Sequence, residues 1–222
     1  MSYLRYVKVT GTMHVSPESK ERVRETILKE KPHAIAIELD KRRFYAMQNP
    51  QKMTFKDAVK YGKKGIIQYI LTKVEEKLGE EFGMMPGGEM IEAINLAGLL
   101  GIPLYLIDED INVITMKILK APFREKILLI LESLAVFLPF PRKGEEERDL
   151  LKDFKIMMIQ FKRRYPYLYR VLLEERNEIM ARNLIAIVDS LKAKGVKKPK
   201  VIAVVGLGHK KGVERILNSH KA

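Results

Sequence analysis

Four short segments are apolar over consecutive positions and rich in β-branched or aromatic residues: Leu4 to Val9, His33 to Ile37, Leu104 to Ile107 and Val201 to Val205. A strand with one face in water alternates apolar and polar residues. These segments do not, which predicts buried strands of a parallel sheet covered on both faces. Between the first two, Ser16-Pro17-Glu18 supplies a helix N-cap, a proline at the first helical position and an acidic first turn, and Lys31-Pro32 ends the helix. That is a βαβ unit. Thr54 and Asp57 open a helical stretch reaching Leu78, and Gly83 to Gly88 is a loop before a helix from Glu89 to Leu100. Gly101-Ile102-Pro103 then leads into the third strand. From Ile111 to Gly195 the periodicity is helical, with breaks at Pro122, Pro139 to Gly144 and Pro166, and predicts an inserted helical subdomain. The chain returns to the sheet at Val201 and closes with a helix from about Lys210 to Asn218. The predicted class is α/β, a largely parallel central sheet flanked by helices with a helical insertion, in one domain over residues 1–222.

Composition narrows the chemistry. A chain of 222 residues buries one full core, and the lack of cysteine excludes disulfides, thiolate metal sites and a cysteine nucleophile. Met1-Ser2-Tyr3-Leu4-Arg5 runs straight into strand-like sequence without the regions of a secretory signal, so the expected location is cytoplasmic. The longest apolar run, Ile127 to Phe140, is broken by Glu132 and Ser133 and is shorter than the roughly 20 residues of a membrane span. It is long enough to lie on a membrane. The segment Phe123 to Phe140, with Lys120, Arg124, Lys126, Arg142 and Lys143 around it, makes an anionic lipid surface one alternative partner. A net charge of +13 is spread through nearly every helix, which reads as a solvated basic surface, and no nucleic acid is expected. Abundant Lys, Arg, Glu and Ile with no Cys or Trp resembles chains adapted to high temperature.

In an open parallel sheet, ligands bind at the carboxyl ends of the strands. Those ends read Gly11-Thr12-Met13-His14, Glu38-Leu39-Asp40, Asp108-Glu109-Asp110 and Gly206-Leu207-Gly208-His209. A glycine just past a strand permits positive φ, and a histidine three residues on can turn back over the strand end. Helices are expected to begin just after both histidines, and helix N-termini favour anions, a field that Glu38 and Asp108 would have to offset. Either histidine alone is more often a structural residue. Paired at equivalent strand ends with Glu38 between them, His14, Glu38 and His209 form a plausible divalent-metal set with open positions.

Glu89 lies on the helical face of Ala93, Leu96 and Leu100 and is expected to turn inward, either as a site carboxylate or in a buried ion pair with an arginine such as Arg176. Arg176 could equally fork onto a substrate carboxylate. Asp108 has the alternative of capping the following turn. His33 and His220 are not ligand candidates. Met84, Met85, Met90, Met157 and Met158 read as core. The sequence holds no G-x-S-x-G elbow, Walker loop, H-E-x-x-H or strand-linked G-x-G-x-x-G.

Taken in order, Gly11-Thr12-Met13-His14, Ala36-Ile37-Glu38-Leu39-Asp40 with Arg42 or Arg43, Gly88-Glu89-Met90 with Ala93 and Ala97, Leu106-Ile107-Asp108, Glu175-Arg176-Asn177-Glu178-Ile179-Met180, and Val205-Gly206-Leu207-Gly208-His209 with Gly212 resemble the TraB, PrgY and Tiki proteins. These are related to the erythromycin-esterase and ChaN-like fold, and the resemblance covers most of the chain. It implies an α/β fold with a site around the two Gly-x-x-His motifs and an acidic residue. The Tiki branch is described as metal-dependent proteases using Mn or Co, and the PrgY branch reduces the activity of a peptide pheromone. His14, Glu38 and His209 match the core motif; Glu89, Asp108 and Arg176 match secondary positions. Glu109 stands where an arginine is expected, and the chain ends at Ala222 without the C-terminal membrane segments of many microbial relatives. The expected activity is a metal-dependent hydrolysis of peptides. Mn, Co or Zn would be held by His14, Glu38 and His209, with Glu38, Glu89, Asp108 and Arg176 as catalytic candidates. The alternative is a non-catalytic protein that sequesters a peptide or cofactor, in solution or at a membrane surface, and a homodimer is compatible with either.

Overall fold

Each residue of the central strand is buried, and its side chains alternate between two separate cores. In the computed structural model, which describes residues 2–12, 17–48, 54–66, 68–69, 87–128 and 150–221, strand β4 (Val201–Gly206) lies between β1 (Val7–Thr12) and β2 (Ala34–Ile37). A third neighbour, β3 (Leu104–Leu106), pairs with β2, and all pairings are parallel in the order β1-β4-β2-β3. Val201, Ala203 and Val205 join Val7, Val9, Ala34 and Ala36 in one core. Ile202 and Val204 join Ile35 and Ile37 in the other. Successive strand residues point to opposite faces, so a sheet covered on both sides shows no polar alternation.

Helices α1 (Pro17–Glu30) and α4 (Gly88–Leu100) cover one face, through Val23, Ile27, Met90, Ala93 and Leu96. The long helix α8 (Glu175–Ala193) and the final helix α9 (Leu207–Ser219) cover the other, through Met180, Ala181, Leu184, Val188, Val213 and Leu217. Between them in the sequence come α2 (Lys41–Gln48), α3 (Phe55–Lys60), α5 (Ile111–Leu119), α6 (Leu150–Arg164) and α7 (Pro166–Tyr169). Thr54 and Asp57 form the predicted capping box on α3. The predicted stretch is helical again at residues 62–66 and 68–69, and the rest of it, up to Leu78, lies outside the described residues. Within the helical insertion, Ile114, Ile118, Ala121, Tyr165 and Leu168 form a small core of their own, whereas α8 is a layer of the sheet.

Several expectations are corrected. The first strand begins at Val7, because Tyr3–Arg5 form a 3-10 turn capped by Ser2 Oγ, and it continues through Thr12, because Gly11 and Thr12 pair with Val205 and Gly206. Gly11 is therefore a strand residue, not a turn. The last helix starts at Leu207, placing His209 within its first turn and not ahead of it. Leu100 and Met157 are exposed, at 44% and 54%, so neither is core; Met90 is buried as expected. Met84 and Met85 lie outside the described residues. Among the described residues no helix is long and apolar enough to cross a membrane. Phe123 is exposed, and most of the apolar run after it falls outside the described residues.

Candidate functional site

Strand parity aims Glu38 at its partners. Ala34 and Ala36 face the α8 and α9 layer, and Glu38 continues that alternation because its N–H still bonds the Val204 carbonyl at 3.0 Å. Its carboxylate is buried. Oε2 accepts the Gly206 N–H at 2.6 Å, which places the Glu38 charge at the N-terminus of α9 and satisfies the backbone donor of its N-cap residue. Oε1 accepts from Arg176 Nη2 at 2.5 Å and faces His209 Nε2 at 3.3 Å.

Arg176 stands just after a π-helical turn, Arg170–Glu174, that joins α7 to α8. Such turns often accompany functional sites. Its Nη1 donates to the Leu172 carbonyl at 3.1 Å. Its fork then grips Asp108, Nε to Oδ1 at 2.9 Å and Nη2 to Oδ2 at 2.6 Å. Arg43 Nη2 donates to the same Asp108 Oδ2, and its Nε donates to Asp40. Asp40 in turn caps α2 through the N–H groups of Arg42 and Arg43. Acid and base alternate along the row Asp40, Arg43, Asp108, Arg176 and Glu38, which ends at His209.

The row fixes the protonation of its members. Burial pushes the Glu38 carboxyl up, but His209 and Arg176 outweigh it and hold the group below its ordinary value. Burial also opposes charge on Asp108, yet Arg176 and Arg43 keep it well below the usual carboxylate range. Burial alone would lower Arg176; Glu38 and Asp108 raise it instead.

His209 is buried, and its Nδ1 lies 2.8 Å from Asn177 Oδ1. The glycines of this region act through close packing and not through positive φ. Gly206 has φ −59°, and a Cβ on Gly11 would fall 3.2 Å from Lys210 Cβ and 3.3 Å from Leu207 Cδ1. A Cβ on Gly212 would fall 2.2 Å from Asn177 Nδ2. Glycine lets α9 settle against β1 and α8.

Glu38, Asp108, Arg176 and His209 thus converge. Glu89 is fully buried as expected, but its described contact is a long hydrogen bond from Thr12 Oγ1, at 3.5 Å, and not an ion pair with Arg176. Glu92 is buried too and pairs with Arg24. Glu109 pairs with Lys117, which also holds Glu175, so the arginine charge expected beside Asp108 comes from Arg43 and Arg176. His14 lies outside the described residues. Sequence reasoning gave no role to Asn177 or Arg43; Arg43 three residues after Asp40 on a helix was a readable signal.

The TraB/PrgY/gumN family profile matches residues 5–222. The chain belongs to the TraB/PrgY/gumN family. It is similar to a protein of Methanocaldococcus jannaschii described as uncharacterized, with 34% identity over 95% of this chain and 53% of that protein. It is also similar to the TraB domain-containing proteins of mouse and human, each 27% identical over 94% of this chain and 62% of theirs. The chain thus spans just over half to about three fifths of the length of these relatives.

Whether this TraB-family site suits a metal depends on its donors. Among the described residues no group of three His, Asp or Glu side chains could hold an ion, so a full set needs a donor such as His14. Two donors of suitable chemistry are in place, His209 Nε2 and Glu38 Oε1, 3.3 Å apart. A protonated His209 pairs with Glu38 Oε1 directly, at 3.3 Å from Nε2, whereas a neutral ring donating from Nδ1 to Asn177 would turn its Nε2 lone pair toward that oxygen. Two acceptors facing one another are favourable only with a shared proton or cation.

Proposed function

We propose that the chain is a metal-dependent hydrolase of peptides or related amides. The observation that carries this reading is the meeting of His209 Nε2 with Glu38 Oε1 while the other ring nitrogen is engaged by Asn177, the arrangement of an imidazole ligand held from behind. His209 and Glu38 would hold Mn, Co or Zn together with His14. A divalent cation supplies Lewis acidity toward a carbonyl and toward water.

The remaining roles follow from the hydrogen bonds. Arg176 orients Glu38 and compensates its charge. Asp108, gripped by two arginines and hard to protonate, positions Arg176 and is a poor proton acceptor. Proton transfer falls to Glu89, which is buried beside Thr12 at the same end of the sheet. The resemblance to metal-dependent proteases supports a peptide substrate.

Metal content and calorimetry with Mn, Co and Zn test this, on wild type and on His14→Ala, Glu38→Gln and His209→Ala. Stoichiometric binding that each substitution abolishes supports the site, and cleavage of a peptide library that needs Glu89 supports turnover. Binding without cleavage favours sequestration of a peptide. A folded wild type that binds none of the three metals overturns the hydrolase.

A further inference from the structure

We propose that the open edge of β3 is the surface on which two copies of this chain pair, strand to strand, about a two-fold axis that passes by Tyr105 and Ala186. Pairing there is independent of the metal reading above.

The backbone leaves one side of β3 unused. Ile35 donates to the Pro103 carbonyl at 2.9 Å and Ile107 donates to the Ile37 carbonyl at 3.1 Å. The ladder to β2 therefore runs through Pro103, Tyr105 and Ile107, and the N–H and C=O groups of Leu104 and Leu106 turn outward. Among the described residues no strand pairs with that side. Such an edge templates another strand unless charge, proline or a bulge blunts it. The opposite edge strand, β1, carries the exposed Lys8, paired with Glu30 at 2.8 Å. Leu104-Tyr105-Leu106 carries no charge, and all three residues are only partly buried.

The layers flanking this edge are uncharged as well. A groove of about 290 Å³ separates Tyr105 and Leu106 from Asn183, Ala186 and Ser190 of α8, and no charged side chain lines it. Ala186 and Ser190 are exposed. On the other face of the sheet, α1 lies toward β1 and α4 toward β2. Glu92 turns to Arg24 of α1, which leaves Ile91, 36% exposed, and Ile94 on the side of α4 nearer β3.

A chain of net charge +13 repels its own copy over most of its surface. Along this strip two copies meet without opposing charges, while an acidic peptide or an anionic lipid finds no cation to bind. The strip is also complementary to itself. In antiparallel pairing centred on Tyr105, Leu104 exchanges both bonds with the partner's Leu106, and Leu106 with the partner's Leu104, so every outward N–H and C=O of the two strands is satisfied. Tyr105 then faces its own copy at the closely spaced, non-hydrogen-bonded position. Asn183 is anchored to the Ile107 carbonyl at 2.8 Å, and Ala186, one turn further on, borders the same groove as Tyr105. Its small side chain lets the two α8 helices pass close together. A neutral extended peptide would fill the strand position alone, whereas a second copy covers both flanks too.

The test is sedimentation velocity of the full chain from low to high micromolar concentration, joined to hydrogen exchange. Wild type is expected to sediment as a dimer with slow exchange at the Leu104 and Leu106 amides, which have no acceptor among the described residues. Ala186→Arg sets two like charges by the axis and should weaken the dimer by about 100-fold or more, freeing those amides to exchange. Ala186→Glu should do the same. An equimolar mixture of the two variants should recover the dimer, since position 186 then faces its opposite charge. Ser190→Arg, exposed on the same side, should give the same loss and serves if a variant at 186 loses the wild-type circular dichroism spectrum. A wild type that stays monomeric, a dimer that Ala186→Arg and Ser190→Arg both leave intact, or edge amides that exchange equally fast in dimer and monomer would overturn the proposal. A monomer whose Leu104 and Leu106 amides slow on adding the peptide library gives the edge to an extended peptide and overturns it too. Neither result bears on metal binding.

Discussion

Arg176 bridges the ends of two neighbouring strands, its Nη2 reaching Glu38 Oε1 at 2.5 Å and Asp108 Oδ2 at 2.6 Å. Both carboxylates are buried, so removing the guanidinium leaves Asp108 with Arg43 as its cation and takes from Glu38 its arginine. Arg176→Ala should destabilise the fold by about 3–5 kcal/mol in chemical denaturation. Asp108→Asn placed in that background should recover part of the loss, because it removes one of the charges left without Arg176. A strictly additive double mutant would show that the bridge carries no coupling.

Acid should dissolve the same bridge. The folded Asp108 carboxyl sits well below the usual range because Arg176 and Arg43 outweigh the effect of burial, and an unfolded Asp titrates near pH 3.9, roughly. A depressed folded value means that the unfolded state takes up the proton first. The stability Asp108 contributes is therefore fully present above about pH 4 and is lost as pH falls toward the folded value. Denaturant midpoints recorded from pH 7 down to pH 3 should fall more steeply for wild type than for Asp108→Asn. Parallel curves would count against this assignment.

Much of this was legible beforehand because it depends on local pattern. Unbroken β-branched runs announced strands buried on both faces, and the carboxylates at their ends were found because a parallel sheet gathers its strand ends on one side. What could not be read was packing across distant segments. Nothing local tells that Thr12 continues β1, since its extra length depends on pairing with Gly206. Gly11 looks like a turn glycine, yet its role is set by Lys210 and Leu207, and Gly212 lies against Asn177, a contact that no local pattern reveals. Helical periodicity turns Glu89 inward, as found; of its two alternatives the ion pair with Arg176 is not formed, because Arg176 bonds Glu38 and Asp108, a placement visible only with the π-helical turn and Asp108 together.

Two glycines of one helix end should respond oppositely to alanine. Gly98 is inside α4 with nothing within 4 Å of an added Cβ, so Gly98→Ala should raise stability by about 0.5–1 kcal/mol through the entropy of the unfolded chain. Gly101 closes the same helix at φ 63°. There Gly101→Ala should cost about 1–2 kcal/mol, the strain of a left-handed alanine. Thermal melts of the two variants check both signs.

The helical insertion depends on one buried carboxylate. Glu125 accepts the N–H groups of Tyr167 at 3.0 Å and Leu168 at 2.9 Å, the first free donors of α7, whose proline at the first position has none to offer. At 4% exposure no water replaces it, and the negative charge also suits a helix N-terminus. Glu125→Ala should therefore cost about 1–3 kcal/mol. Glu125→Gln keeps an acceptor without the charge and should lose less. Because Ala121, Tyr165 and Leu168 share the small core beside it, the loss should appear first as faster hydrogen exchange at Tyr167 and Leu168, with α1 and α4 unaffected. Uniform acceleration across the sheet would instead mean that the insertion and the sheet unfold as one unit.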